Sequence, residues 1–326
     1  MSVLLAKDIQ KTLQSSGPVV ALETAVLTTG LPHAQWDDAF GSCPKNIESG
    51  IPVNLAAARA MTDAVQAAGG VPAWIGVVAG SLRIGLSEQE LEDLATDETA
   101  GKASLATLAS AMAQKKSAGT TVAATLHACE LTRAMCGHNI AVFATGGIGG
   151  MHRDWSNRFD VSADLRALAT MRTCVVASGA KSILDLPATV ESLETLGIPV
   201  IGFKSDRFPC FIETSTRDDP KIASASSPDD IAAICRMHWD QLGARSAVLA
   251  TSPVPSDVAI PRGTLEHVIE ESERLWAATR STGETRTPAL LESLASHTAG
   301  NSLVANLALL CNNATLASRI SVAFTS

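Results

Sequence analysis

The chain has 326 residues, with 25 basic and 33 acidic side chains and a formal net charge of −8. An acidic chain of this kind has no general attraction for nucleic acid or anionic membrane, and both are excluded as partners. Hydrophobic residues make up 46% and charged residues 18%, too apolar for disorder, while aromatics reach only 4% with no tyrosine, so the core must be built from Ala, Val, Leu and Ile.

Short apolar runs of strand length recur along the chain at 19–22, 75–79, 140–144, 173–177, 200–203 and 247–250. Each is nearly continuous, as in strands buried on both faces. Ala- and Leu-rich segments at helical spacing lie between them, at 54–68, 87–95, 121–135, 188–196 and 228–242. The alternation predicts an α/β protein, a three-layer α/β/α sandwich around a mainly parallel or mixed sheet, forming a single domain over 1–326. From Pro261 the pattern turns helical: an amphipathic run to about Arg280, a polar break, then two more helices ending near Phe324. Residues 36–53 (WDDAFGSCPKNIESGIPV) read as an inserted surface loop, and Lys221–Asp229 and Arg280–Pro288 as linker-like segments.

The seven cysteines are scattered without CxxC spacing, which excludes a zinc ribbon or thioredoxin-like motif and fits free thiols in a reducing compartment. The N-terminus is too polar for a signal peptide, and no unbroken run of 18 apolar residues occurs. The expectation is a soluble, cytoplasmic protein.

Chemistry-bearing residues cluster after the predicted strands. Lys181 follows the strand 173–177 in ASGAKSILDL, and Glu23 ends the strand 19–22 in VALETA. A lysine past the carboxyl end of a buried strand sits where α/β enzymes place ligands, as an amine nucleophile or as a snorkelling side chain. Glu23 is a proton donor at the same edge or a strand-terminating acid. After strand 140–144 comes ATGGIGGMHR, whose four glycines in five positions followed by His and Arg suit an anion loop, or a ligand-free glycine turn. Next, Asp160, Ser162 and Asp164 in FDVSADL read as a helix N-terminus, or as Asp160 on a hard divalent metal with the helix start facing an anionic oxygen. Gly119–Val122 is a second helix start suited to oxyanion contact, and Lys102 either adds charge there or is a solvated loop lysine. No G-x-S-x-G or HExxH occurs.

The stretches VVALETAVLTTGLPHAQ, GTTVAATLHAC, FATGGIGGMHR, FDVSADLRALA, VVASGAKSILDLPATVESLETLGIPVIGF and NSLVANLALLCNNATLASRI together resemble the pseudouridine-5′-phosphate glycosidases, also called indigoidine-synthase-A-like proteins, over almost the whole chain. The resemblance implies cleavage of the C–C glycosidic bond of pseudouridine 5′-phosphate to uracil and ribose 5-phosphate, with a divalent metal, typically Mn²⁺. It implies that Lys181 is the nucleophile forming a covalent sugar adduct and Glu23 the proton donor. It further implies substrate contacts at Lys102, Val122, Ser162, Ala163 and Asp164, a metal ligand at Asp160, and site positions at Thr145, His152 and Asn306. A homotrimer is implied as well. The segment 36–53 departs from the family pattern, as does a smaller extension around Thr132–His138. The alternatives are a lysine-dependent phosphosugar enzyme with another substrate, serving pigment synthesis, or a homologue disabled by the insertion.

Overall fold

The computed structural model describes residues 2–40, 43–45, 47–279, 293–294 and 296–325. Eleven strands form one sheet: β1 (Val3–Leu5), β2 (Val19–Glu23), β3 (Val71–Val78), β4 (Ser81–Ile84), β5 (Gly101–Ala103), β6 (Ala118–Thr120), β7 (Val142–Ala144), β8 (Cys174–Ala177), β9 (Val200–Phe203), β10 (Ala223–Ala225) and β11 (Val248–Thr251). The main path runs β1-β4-β3-β2-β7-β8-β11-β9-β10, and β6 and β5 extend it beyond β3. Among the described strands, only β3–β4 and β3–β6 pair antiparallel. Every residue of β2, β7, β8 and β11 is buried. This explains why those strands read as unbroken apolar runs.

Helices cover both faces, giving the expected three layers. Lys7–Gln14, Val122–Cys136 and Ala163–Thr170 pack together on one side, and Val53–Ala67, Pro228–Arg236 and the 25-residue helix Asn301–Thr325 on the other. Their starts carry local signals: Ser87 and Ser227 form capping boxes with Glu90 and Asp230, and Thr121, Ser162 and Asp185 accept backbone N–H bonds as N-caps. Helix Asn301–Thr325 is long and apolar enough to cross a membrane by composition, but 61% of its most apolar window is buried inside the protein. Small polar residues let it lie close: the hydroxyls of Ser318 and Ser321 donate to the carbonyls of Val65 and Val19. It is a core helix.

Register sets up the functional edge. Leu22 pairs with Ala144, and Ala144 with Val176, so Glu23, Thr145 and the Ala177–Ser178 step leave three adjacent parallel strands at the same carboxyl edge. At this edge β3 changes partner, from β2 up to Ile75 to β6 at Gly76–Val77. Threonines hold the junction: the Thr24 and Thr120 hydroxyls both donate to the Ile75 carbonyl, at 2.7 and 2.6 Å, and the Thr120 N–H donates to the Thr24 hydroxyl. Only glycine fits at 119, because a Cβ there would lie 2.5 Å from the Thr24 carbonyl oxygen.

Three sequence expectations need correction. Lys221–Asp229 is not a linker; it carries β10 and the Ser227 cap. The segment 228–242 is not one helix, since Pro228–Arg236 passes into a π-turn at Met237–Gln241. The 36–53 segment is only partly a surface loop. Its base is pinched by a bridge between Gln35 and Pro52, its Ile47 is buried, and Trp36, Phe40 and Ile51 pack against the core. Arg280–Pro288 lies outside the described residues.

Candidate active site

The carboxyl edge of β2, β7 and β8 opens into a cavity of about 390 Å³. All eleven residues singled out from the sequence line it: Glu23, Lys102, Val122, Thr145, His152, Asp160, Ser162, Ala163, Asp164, Lys181 and Asn306. They come from seven separate stretches of chain.

Glu23 is buried, 8% exposed. Burial pushes its carboxyl above the ordinary glutamate range, and Asp164 pushes the same way; Lys181, the Thr145 hydroxyl bond and Lys102 pull against them. Thr145 donates its hydroxyl to Glu23 Oε1. Desolvation thus favours the proton-bearing form of this carboxyl, while the neighbouring lysines and the Thr145 hydroxyl oppose it.

Lys181 is delivered by a continuation of the β7–β8 pairing beyond the sheet. Thr145 N–H donates to Val176, Ser178 to Gly146, Ile148 to Gly179 and Lys181 to Ile148, at 2.8–3.2 Å. The glycine loop and the lysine segment are thus zipped together. Gly179 is required there: its φ is +70°, and a Cβ would fall 1.9 Å from the Pro209 carbonyl oxygen.

Several amides of the glycine loop are already bound within the protein. The amides of Ile148, Gly149, Met151 and His152 are committed to Gly179 O, Asp164 Oδ2, Thr189 Oγ1 and Asp160 O. Its glycines serve packing, since Cβ atoms at 147, 149 and 150 would meet Phe211, the Ser162 hydroxyl and Thr189 at 2.8, 2.3 and 2.5 Å. Asp164 spends both carboxylate oxygens on protein, taking the Ala123 N–H at 3.1 Å and the Gly149 N–H at 2.9 Å. At the start of helix Val122–Cys136, Thr121 N–H goes to Ala103 O, Ala123 to Asp164 and Ala124 to the Thr121 hydroxyl. The Val122 N–H is the one amide of this first turn without a protein acceptor among the described residues. It remains available to an anionic ligand.

The far side of the cavity is more open. The Asp160 side chain is 28% exposed, and its Oδ2 lies 3.9 Å from His152 Nδ1. Among the described residues no group of three or more His, Cys, Asp or Glu could hold a metal. A single, part-exposed carboxylate of this kind could contribute to a hard divalent ion that keeps most of its waters, and does not fit tetrahedral zinc. Asn306 sits in the wall, 7% exposed, with no side-chain hydrogen bond among the described residues.

Sequence reasoning missed two contributors. Ala25, Val26, Thr29 and Gly30 line the cavity from a π-turn directly after β2, a distortion common at functional sites that carries no sequence signature. Asn313, fully buried on helix Asn301–Thr325, holds the base of the glycine loop; its signal was a polar residue interrupting an apolar helical run.

Residues 46–323 match the family model described as indigoidine synthase A like protein. The chain is 38% identical over 322 residues to a pseudouridine-5′-phosphate glycosidase of Caldanaerobacter subterraneus, covering 98% of this chain and 95% of the relative. It is 40% identical over 331 residues to one of Myxococcus xanthus, covering 99% of each. Among solved structures, an indigoidine synthase A-like protein of Thermotoga maritima superposes with a TM-score of 0.82 at 32% identity, covering 100% of this chain and 98% of the other. The prealnumycin C-glycosynthase AlnA, solved with ribulose 5-phosphate, superposes with a TM-score of 0.81 at 30% identity, covering 99% and 97%.

Proposed function

The chain belongs to the indigoidine synthase A-like family, and from that premise we propose that it is a pseudouridine-5′-phosphate glycosidase, cleaving the C–C bond between uracil and ribose 5-phosphate reversibly. The observation that carries this is a buried carboxyl and a lysine brought to one cavity from two different strand ends. The names of the relatives supply the substrate, and a C-glycosynthase neighbour with a phosphosugar supports chemistry at a sugar carbon.

A carbon–carbon bond to C1′ does not leave on protonation of a ring nitrogen, so it needs an electron source on the sugar. The ring opens as the C1′–O4′ bond breaks, with O4′ taking the Glu23 proton while the uracil N1 lone pair conjugates through C5 to C1′. The Lys181 amine then adds to C1′, the electrons return to N1, and the amine proton restores the Glu23 carboxyl. The nitrogen lone pair then forms the C=N⁺ bond as the C1′–C5 bond breaks, and its electrons pass to the uracil carbon, which takes a proton from Glu23. Water releases the Schiff base, returning the free lysine and ribose 5-phosphate. The burial of Glu23 suits it to this task, because desolvation favours the proton-bearing form of a carboxyl.

In this reading Lys102 and the Val122 N–H receive the phosphate, Ser162, Ala163 and Asp164 shape the turn against which the substrate lies, and Thr145, His152 and Asn306 complete the walls. Asp160 would hold a Mn²⁺ ion, which supplies positive charge beside an otherwise acidic rim. The free, mostly buried cysteines suit a reducing cytoplasm. The exposed Met237 and Leu242 supply apolar surface of the sort buried in a cyclic homotrimer. The loop 36–52 contributes no described residue to the cavity, which argues against a homologue disabled by it.

Protein, Mn²⁺ and pseudouridine 5′-phosphate are expected to release free uracil, and borohydride is expected to trap a sugar-phosphate mass on Lys181. An adduct on another lysine would remove the assigned nucleophile. No uracil, but trapping with a ketose phosphate, would move the protein to the pigment-type alternative.

A further inference from the structure

Asn313 lies in the middle of helix Asn301–Thr325 with no exposed surface. A buried carboxamide must be paired or it costs the fold. Here its Nδ2 donates to the Thr145 carbonyl at 2.9 Å and lies 3.3 Å from the Gly146 carbonyl, while Nδ2 and Oδ1 meet the Ser178 hydroxyl at 3.1 and 3.3 Å. These three residues are the points where the β7 and β8 chains leave the sheet. Thr145 donates its hydroxyl to Glu23, and Ser178 stands three residues before Lys181. One side chain therefore ties together the segments that present both groups of the chemistry.

We propose that Asn313 is a positioning residue that acts through Thr145, fixing the hydrogen bond that orients the Glu23 carboxyl and its spacing from the Lys181 segment. The proposal rests on the reading of Glu23 as the proton donor. A carbonyl–amide bond at Thr145 sets that residue's backbone, and the backbone sets where its hydroxyl points. Of the groups that face the Glu23 carboxyl, Lys181, Lys102, Asp164 and Thr145, Thr145 is the one that bonds to Asn313. A change at 313 thus reaches Glu23 through Thr145.

The test compares N313A, T145V and the double variant, with S178A as a milder perturbation of the same network. The first readout needs no turnover: the infrared band of the protonated Glu23 carboxyl, assigned by its loss in E23Q, followed against pH. The Thr145 bond favours the ionised form, so T145V moves the titration midpoint up, and N313A is expected to move it in the same direction. In the double variant the shift should be no larger than the greater single one. The second readout is kinetic. N313A is expected to lower kcat by about tenfold with little change in KM, a fraction of the ~100-fold or more that a general acid supplies, and to cost almost nothing further in the T145V background. A folded N313A with the Glu23 band at its wild-type position overturns the proposal; if N313A does not fold, the same result in S178A does so. Full additivity of N313A and T145V in kcat also overturns it, leaving Asn313 a merely structural residue. A wild-type protein that releases no uracil defeats the functional reading instead, and the infrared comparison still decides the role of Asn313.

Discussion

The floor and the rim of the cavity are built on opposite terms. At the floor Glu23, Thr145 and Asn313 are 8%, 1% and 0% exposed, and their polar groups are matched to one another. At the rim the four-residue helix Trp155–Arg158 is flanked by two non-glycine residues in the left-handed region, Asp154 at φ +62° and Phe159 at φ +50°. Phe159 is 83% exposed, and Asp160 follows it. The floor is dry and over-determined, which suits groups whose protonation must be tuned and whose aim must not drift. The rim is wet and locally strained, which suits a hydrated ion or a charged end of the substrate that must enter and leave.

The sharpest way to break that contrast is at the floor. Glu23→Gln removes the proposed proton donor and keeps the shape, and is expected to lower kcat by about 10²- to 10⁴-fold. Its pH dependence is distinctive. Burial raises the folded-state pKa of Glu23 above 4.5, so between that value and the raised one the native state holds more protons than the unfolded chain. Stability then falls as pH climbs through this window. Denaturant titrations should show that decline in the wild type and a flatter profile in E23Q; equal slopes would mean that the carboxyl is not desolvated.

A rim substitution should act on binding rather than on proton transfer. Asp160→Asn is expected to weaken Mn²⁺ binding by about 10- to 100-fold, a scale seen when metal-site partners are lost, as read from free Mn²⁺ by electron paramagnetic resonance. The Glu23 infrared band should stay in place. Unaltered Mn²⁺ affinity would remove Asp160 from the metal site. Smallest of all, Phe159→Gly relieves a left-handed backbone at an exposed position, and is expected to change stability by no more than about 1 kcal/mol, in the stabilising direction. A clear loss of stability on thermal unfolding would show that the exposed ring is held by contacts of its own.

The central strands were legible because burial on both faces leaves continuous apolar runs, as in Val19–Glu23 and Cys174–Ala177. The outlying strands Val3–Leu5, Gly101–Ala103 and Ala223–Ala225 were not. They are three residues each, partly exposed, and owe their strand form to the neighbour they meet. The candidate site residues were singled out mainly through family resemblance, and the fold gathers them into one cavity. What the resemblance could not convey is how hydrogen bonds divide the labour. The glycines of 146–150 look like an anion cradle but answer to Phe211, Ser162 and Thr189, and the Asp164 carboxylate is occupied by two backbone amides. Both facts depend on distant residues meeting, which composition does not record.

The helix Asn301–Thr325 has a consequence for how the molecule comes into being. It packs against β2, β7, β8 and the helices Val53–Ala67 and Pro228–Arg236, and it carries both Asn306 and Asn313. It also leaves the ribosome after every other described element. Until it emerges, a nascent chain holding the strands of Glu23 and Lys181 has an open hydrophobic face and an unanchored glycine loop. A chain without this helix would lack the contacts that anchor the segments of Glu23 and Lys181, and would expose the apolar faces that it covers.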